Sequence, residues 1–127
     1  MIPMCNTEKV GIVSWAPLAR GFLARSLEAV PTPRQSIDRV TSALHSGAAD
    51  IAIRNVVREI SYERSASPAT VALSWVLRDR VVASATVGVS SLGQLDDAHK
   101  ALTLQLSNEE IARLEKSYLP RVILDHK

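Results

Sequence analysis

Two short segments of this 127-residue sequence combine residue types suited to holding an anion beside a flat ring. In the first, Trp15 closes an apolar run and is followed closely by Arg20 and Arg25. A guanidinium offers a planar fork of N–H donors that matches phosphate oxygens, and an indole offers a face on which a ring can stack. In the second, Gly88 permits close backbone approach, and Ser90 and Ser91 carry hydroxyl donors. The apolar residues that resume at Leu92 predict a helix whose first N–H groups and positive dipole end serve the same anion. Each segment also has a plainer reading. The Gly-x-Ser-Ser-x-x-Gln-Leu pattern at 88–95 suits a helix cap with a tight turn, and a Trp at a strand tip is commonly a core residue.

Other chemistries lack their residues. Cys5 is the lone cysteine, which excludes an internal disulfide and a multi-cysteine metal site. It reads as a small, half-buried hydrophobe in a reducing compartment. His45, His99 and His126 fall on predicted helices or the tail and read as solvated surface residues. No His/Cys/Asp cluster has metal-ligand spacing, and no Ser-His-Asp set can be placed. Tyr62 and Tyr118 sit on predicted helices away from the strand tips. No residue is therefore assigned a catalytic or metal-binding role.

The elements that would position the two segments follow from periodicity. Residues 10–14 form a short apolar run that Pro17 prevents from continuing as a helix, so they predict a buried strand. Ile2 and Cys5, three apart, suit the last turns of a helix before it. Residues 19–36 carry Gly21, Pro31 and Pro33 without a sustained period and read as a long connection, with a helical turn around Leu23–Leu27. Ile37, Val40 and Leu44 mark a modest helix closed by Gly47, and Ile53, Val56, Val57 and Ile60 mark a stronger one.

Ser67-Pro68 opens a helix predicted to run to about Arg80, apolar on several sides and so buried against more than one neighbour. Val81–Val89 predicts a second strand, apolar on both parities as if covered on each face. Leu92–Leu102 predicts a further helix. The last is marked by a capping box, Ser107 with Glu110, and runs past Tyr118 until Pro120 stops it.

Buried apolar strands alternating with helices predict a parallel α/β sheet within a single domain over residues 1–127. Two strands are marginal alone. The pattern therefore calls for parallel neighbours, supplied by copies of the chain or by a longer polypeptide.

Composition narrows the function classes. Charged side chains total 15 Lys+Arg against 13 Asp+Glu, for a net charge of +2. They are spread along the chain, so a polybasic surface for nucleic acid or membrane is not expected. Aromatic residues make up only 4%, which leaves little material for base-stacking platforms. The longest uncharged run, 81–95, is interrupted by polar residues and falls short of the roughly 18 apolar residues a membrane span needs. With no secretory signal order at the N-terminus, a cytoplasmic protein is expected.

Four segments carry a family resemblance: VGIVSWAPLARGFL at 10–23, SPATVALSWVL at 67–77, VGVSSLGQLDD at 87–97 and LSNEEIARL at 106–114. In order and spacing they resemble the C-terminal part of aldo-keto reductases, and they also resemble potassium-channel β subunits. The resemblance is weakest over 24–49. It implies the C-terminal portion of a (β/α)8 TIM barrel, with the two predicted strands as the seventh and eighth. It further implies use of NADP(H) to interconvert carbonyls and alcohols by hydride transfer.

In similar enzymes the aromatic matching Trp15 stacks on the nicotinamide, and the turn matching Pro17, Leu18, Ala19, Arg20 and Gly21 wraps the pyrophosphate. Gly88, Ser90 and Gln94 match positions at the adenosine phosphate and ribose, and Asp97 matches a contact to the adenine amine. Two positions depart from the pattern: Ala16 stands where a Ser is usual, and Ala98 where an Asn is common. Each swap removes a side-chain hydrogen-bond partner worth about 0.5 to 1.5 kcal/mol.

The resemblance also implies an Asp, Tyr, Lys and His tetrad on earlier strands of the barrel, with the Tyr as general acid, and no residue here matches it. A Met commonly precedes the Ile-Pro-x-Cys stretch in similar sequences, so Met1 is expected to be an internal methionine. The expected function is that of a reductase fragment contributing the cofactor loops. The alternative is a non-catalytic, self-associating or nucleotide-binding module whose partners are the missing barrel half or copies of itself.

Overall fold

The computed structural model describes residues 1–24, 45 and 47–120. In chain order these form α1 (Ile2–Glu8), β1 (Ile12–Trp15), a 3-10 turn (Ala19–Gly21) and α2 (Ala48–Glu63). There follow α3 (Pro68–Leu77), β2 (Val82–Thr86), α4 (Leu92–Lys100) and α5 (Asn108–Glu115). The strands pair in parallel, Ile12 opposite Val82 and Trp15 opposite Thr86, with α2 and α3 in the crossover between them. A bulge skips Ala83, and Gly11 lies against it: a Cβ on Gly11 would stand 3.1 Å from the Ala83 Cβ.

Helix α3 is the hub, as its all-round apolar character predicts. Residues Thr70, Val71, Ala72, Leu73 and Ser74 are all buried, and the helix packs on α2, α4 and β2. Its two buried hydroxyls are satisfied. Thr70 Oγ1 donates to the Asp97 carbonyl at 2.9 Å, and Ser74 Oγ reaches the Thr70 and Ala101 carbonyls at 2.8 and 3.2 Å. The same bonds fix α4 to α3. Val57, Ile60, Val71, Ala72 and Leu114 form the core cluster, with Leu18 and Leu23 packed against it from the turn after β1.

Several boundaries differ from the sequence expectations, each for a local reason. Helix α3 ends at Leu77 rather than near Arg80, because Asp79 builds a turn: its carboxylate accepts from Val81 N–H at 3.1 Å and its carbonyl from Val82 N–H at 2.9 Å. Strand β2 ends at Thr86 rather than Val89, since β1 stops opposite it at Trp15. Helix α4 ends at Lys100 rather than Leu102, where the Lys100 carbonyl is taken by Thr103 and Leu104 N–H. Helix α5 ends at Glu115, short of Tyr118.

Gly47 opens α2; the Asp50 carboxylate accepts from its N–H at 3.2 Å, satisfying a donor the helix start leaves free. The predicted Ile37–Leu44 helix, and the predicted turn beyond Ala24, lie outside the described residues.

Cover on each strand face is met on one face only. Ile12 and Ser14 are half-buried, whereas Val13 and Trp15 are 64% and 78% exposed. Among the described residues the sheet has only these two strands, and Val13 and Trp15 mark its exposed face. No helix there is long and apolar enough to cross a membrane.

The capping box of α5 forms as predicted and has a partner the sequence did not reveal. Ser107 Oγ accepts from Glu110 N–H at 3.2 Å, and Glu110 accepts from Ser107 N–H at 2.7 Å. Arg64, just past α2, donates to both Glu110 oxygens at 2.6 and 2.9 Å and to the Gln105 carbonyl at 3.1 Å. The Arg64 hydrogen bonds, then those from Ser107, hold the Glu110 carboxyl down to about 2 against the desolvation that would raise it.

A depressed carboxyl stabilises the fold fully above its unfolded value near 4.5 and loses that contribution as pH falls toward about 2. Glu110→Gln is therefore expected to lower stability at pH 7 by about 2 kcal/mol and to flatten the acid limb between those pH values. Urea titrations at pH 7 and pH 3 check this, and an unchanged acid limb would overturn it.

Candidate functional site

Parallel pairing decides where the candidate residues meet. Because Trp15 lies opposite Thr86, the turn at 16–21 and the segment at 87–91 leave the sheet from the same edge. The first is tightly wound. Ala16, Ala19 and Arg20 adopt left-handed backbone with φ of 50, 49 and 56, and Gly21 has φ 89. For residues with a side chain this conformation costs about 1 kcal/mol or more each, so something must hold the turn.

Two features do. Ala19 N–H donates to the Ala16 carbonyl at 2.9 Å, Gly21 N–H to that of Leu18 at 2.9 Å, and Phe22 N–H to that of Ala19 at 3.1 Å. The half-buried Leu18 side chain packs against the core cluster. The turn is thus pinned from within, while Arg20 stays exposed outside.

Trp15 is not a core residue. It lies on the sheet face the helices leave bare, and the Arg20 guanidinium carbon stands 5.9 Å from its ring centroid, within cation–π range. Arg25 lies outside the described residues.

In the second segment the cap reading holds. Ser91 is the N-cap of α4, its Oγ accepting from Gln94 N–H at 3.3 Å. Ser90 donates twice to Gln94 Oε1, from its N–H at 2.7 Å and its hydroxyl at 3.2 Å. The Gln94 amide oxygen therefore rests on the donors an anionic oxygen would use. Gly88 is exposed, and a Cβ there would meet nothing within 4 Å, so the backbone is open to approach.

Gln94, Asp97 and Ala98 share one helical face at i, i+3 and i+4. Asp97 and Ala98 are half-buried, and the Thr70 hydroxyl bond to the Asp97 carbonyl fixes their depth. Sequence reasoning did not find the positioning roles of Leu18 and Thr70. The one available signal was Thr70 at the third helical position after the Ser67 cap, where a hydroxyl has an N-cap partner: the two oxygens lie 2.9 Å apart.

The arrangement offers an exposed indole, a guanidinium, an open backbone at Gly88, hydroxyl and N–H donors at Ser90, and a helix N-terminus. This donor set suits a phosphorylated compound carrying a flat ring. Among the described residues no proton-transfer group accompanies it at the sheet edge. Tyr62 lies 88% exposed on α2, Tyr118 is exposed beyond α5, His99 is exposed on α4, and His45 stacks on Phe22 with centroids 5.5 Å apart. Among the described residues no group of three or more His, Cys, Asp or Glu is placed to hold a metal ion.

Comparison with known proteins gives a consistent outcome. A model of the Aldo/keto reductase family matches residues 1–119. A Schizosaccharomyces pombe protein provisionally named an aryl-alcohol dehydrogenase is 41% identical over 123 residues, covering 94% of this chain and 37% of that protein. An aldo-keto reductase of Alternaria alternata is 37% identical over 118 residues (93% and 32%). A versiconal hemiacetal acetate reductase of Aspergillus parasiticus is 33% identical over 126 residues (97% and 36%). The chain thus spans about a third of the length of the curated relatives it matches.

Proposed function

Since the chain belongs to the Aldo/keto reductase family, we propose that it carries the dinucleotide-binding edge of an NADP(H)-dependent oxidoreductase barrel and contributes its cofactor loops to carbonyl/alcohol interconversion. The family implies a (β/α)8 barrel, and five helices with two parallel strands among the described residues are consistent with part of one. One observation carries the reading: the register that sets Trp15 opposite Thr86 puts the 16–21 turn and the 87–91 segment at one edge.

In this reading Trp15 holds the nicotinamide ring, with Ala16 beside it. Pro17, Leu18, Ala19, Arg20 and Gly21 hold the pyrophosphate, Gly88, Ser90 and Gln94 the adenosine phosphate and ribose, and Asp97 with Ala98 the adenine. When bound, the reduced dinucleotide supplies a hydride for a carbonyl carbon. This chain's own residues bind and orient. Arg20 neutralises phosphate charge, Ser90 exchanges its Gln94 acceptor for a ligand oxygen, and Leu18 keeps the turn in shape.

Calorimetric titration of the chain with NADPH is expected to show binding, and Trp15→Ala to weaken it about tenfold, from a stacking loss of about 1 to 3 kcal/mol. NADPH binding that ignores Trp15→Ala, or no binding at all, would remove the reading.

A second reading, a self-associating non-catalytic module, is favoured by one observation: the bare sheet face with Val13 and Trp15 exposed. Sedimentation decides it, because a strict monomer leaves that reading without support.

A further inference from the structure

We propose that the groove between α2 and its connection into α3 is a further binding site, for a small molecule that carries an anionic oxygen group on an aromatic body. The site is independent of the nucleotide reading, since none of its lining residues belongs to the 16–21 turn, the 87–91 segment or α4.

The groove is open, with a volume of about 1160 Å³. Asn55, Arg58 and Tyr62 line it from α2 at i, i+3 and i+7, one helical face, and Ser65 and Pro68 close it from the connection. That connection is wound back onto the helix end. Arg64, Ser65 and Ala66 N–H donate to the Ile60, Tyr62 and Ser61 carbonyls at 2.9, 3.1 and 2.9 Å, and Ser65 holds a left-handed φ of 49. The Arg64 fork on Glu110 ties it to α5. The wall is therefore preformed, and little ordering is needed when a ligand arrives.

Charge singles out Arg58. The residue is half-buried, and among the described residues its guanidinium has neither an ion-pair nor a hydrogen-bond partner. The carboxylates of the adjoining turns are already taken. Glu63 accepts from Arg113 at 2.8 and 2.9 Å, Glu59 from Arg113 at 3.2 Å, and Glu110 from Arg64 at 2.6 and 2.9 Å. A cation partly withdrawn from water without a counter-ion gains from an anion brought to it. A guanidinium meets a carboxylate or phosphate through two parallel N–H bonds.

Tyr62 supplies the second half of the recognition. Its side chain stands 88% exposed beside Pro68 at the groove. A ring seated on these two withdraws apolar surface from water while its anionic group reaches Arg58. An inorganic anion can use only the guanidinium, and a neutral aromatic only the tyrosine and proline.

NMR of the isotopically labelled chain at constant ionic strength follows the Tyr62 ring and the Ser65 amide during separate titrations with phenyl phosphate and benzoate. Saturating shifts are expected with each, with Kd on the order of 1 mM, and the tighter ligand identifies the anionic group. Benzyl alcohol and inorganic phosphate, each half of such a ligand, are expected to bind at least about tenfold more weakly. The Trp15 indole resonance reports separately on the sheet edge.

Arg58→Gln is expected to weaken binding about tenfold or more, the loss of a charge-assisted contact. Arg58→Lys should recover part of it, which guards against a folding defect in the first variant. Arg80→Gln removes the same charge from an exposed position outside the groove and should change nothing. Shifts that do not saturate, or that reach Trp15 and leave Ser65 unmoved, overturn the proposal. So do benzyl alcohol or inorganic phosphate binding as tightly as the anionic aromatics, and equal losses in Arg58→Gln and Arg80→Gln. None of these results bears on NADPH binding at the sheet edge, which the Trp15→Ala titration tests.

Discussion

The 127-residue chain supplied with NADPH and a panel of aldehydes and ketones is expected to reduce them at least about 10²-fold more slowly than a complete family member, because a positioned proton donor alone contributes about 10² to 10⁴-fold. Binding and chemistry separate here. In the proposed reading the indole, guanidinium and helix N-terminus at the sheet edge bind and orient, whereas an alkoxide forming at the substrate would find no acid beside it among the described residues. The tyrosines lie on or beyond helices with most of their surface in solvent, Tyr62 on α2 and Tyr118 after α5.

The measurement is steady-state oxidation of NADPH, read beside the calorimetric titration so that lack of turnover is not mistaken for lack of binding. Turnover at ordinary enzymic rates would sink the assignment, and would mean that a proton reaches the substrate by a route the described residues do not reveal. Joining an in-frame upstream segment that bears strands with Asp, Tyr, Lys and His is expected to restore reduction.

Local chemistry made much of the fold legible. Ser67-Pro68, Ser91 and Ser107 each supply a hydroxyl to a helix start, and each caps the helix expected of it. Apolar side chains recurring at 3.6 residues marked the buried face of α2, which holds Val57 and Ile60. What sequence could not supply was distance in space. Arg64 and Glu110 are 46 residues apart, and nothing in either segment announces their fork of bonds.

Strand ends were misjudged in the same way: Val87 and Val89 are good strand residues, but a ladder needs a partner and β1 has none past Trp15. At the site, residue types suggested an anion and a ring, and of the two readings of Trp15 the structure takes the exposed one, with 78% of its surface open. Gln94 was legible as part of a pattern, but its amide oxygen resting on Ser90 was not, since that follows from a rotamer rather than a spacing.

Ile60→Ala is expected to cost about 3 kcal/mol, from a range of about 2 to 5 for deleting a fully buried branched side chain. Ile60 has 0% of its surface exposed and sits in the one core cluster of the described residues, between Val57 of its own helix and Val71, Ala72 and Leu114 of α3 and α5. The cavity cannot close readily, because α3 is fixed to α4 by the Thr70 and Ser74 hydroxyls and α2 to the start of α5 by the Arg64–Glu110 fork. A loss of that size lowers the melting temperature by on the order of 10 °C.

The effect reaches the site, since Leu18 packs on the same cluster and holds a turn with three strained non-glycine residues. Ile60→Ala is therefore expected to weaken NADPH binding well below its melting point. Leu73→Ala, at a buried position outside that cluster, should lower stability without that loss. Urea denaturation gives the stability and calorimetry at 10 °C the affinity; equal affinities for the two variants would show that the turn keeps its shape without the core behind it.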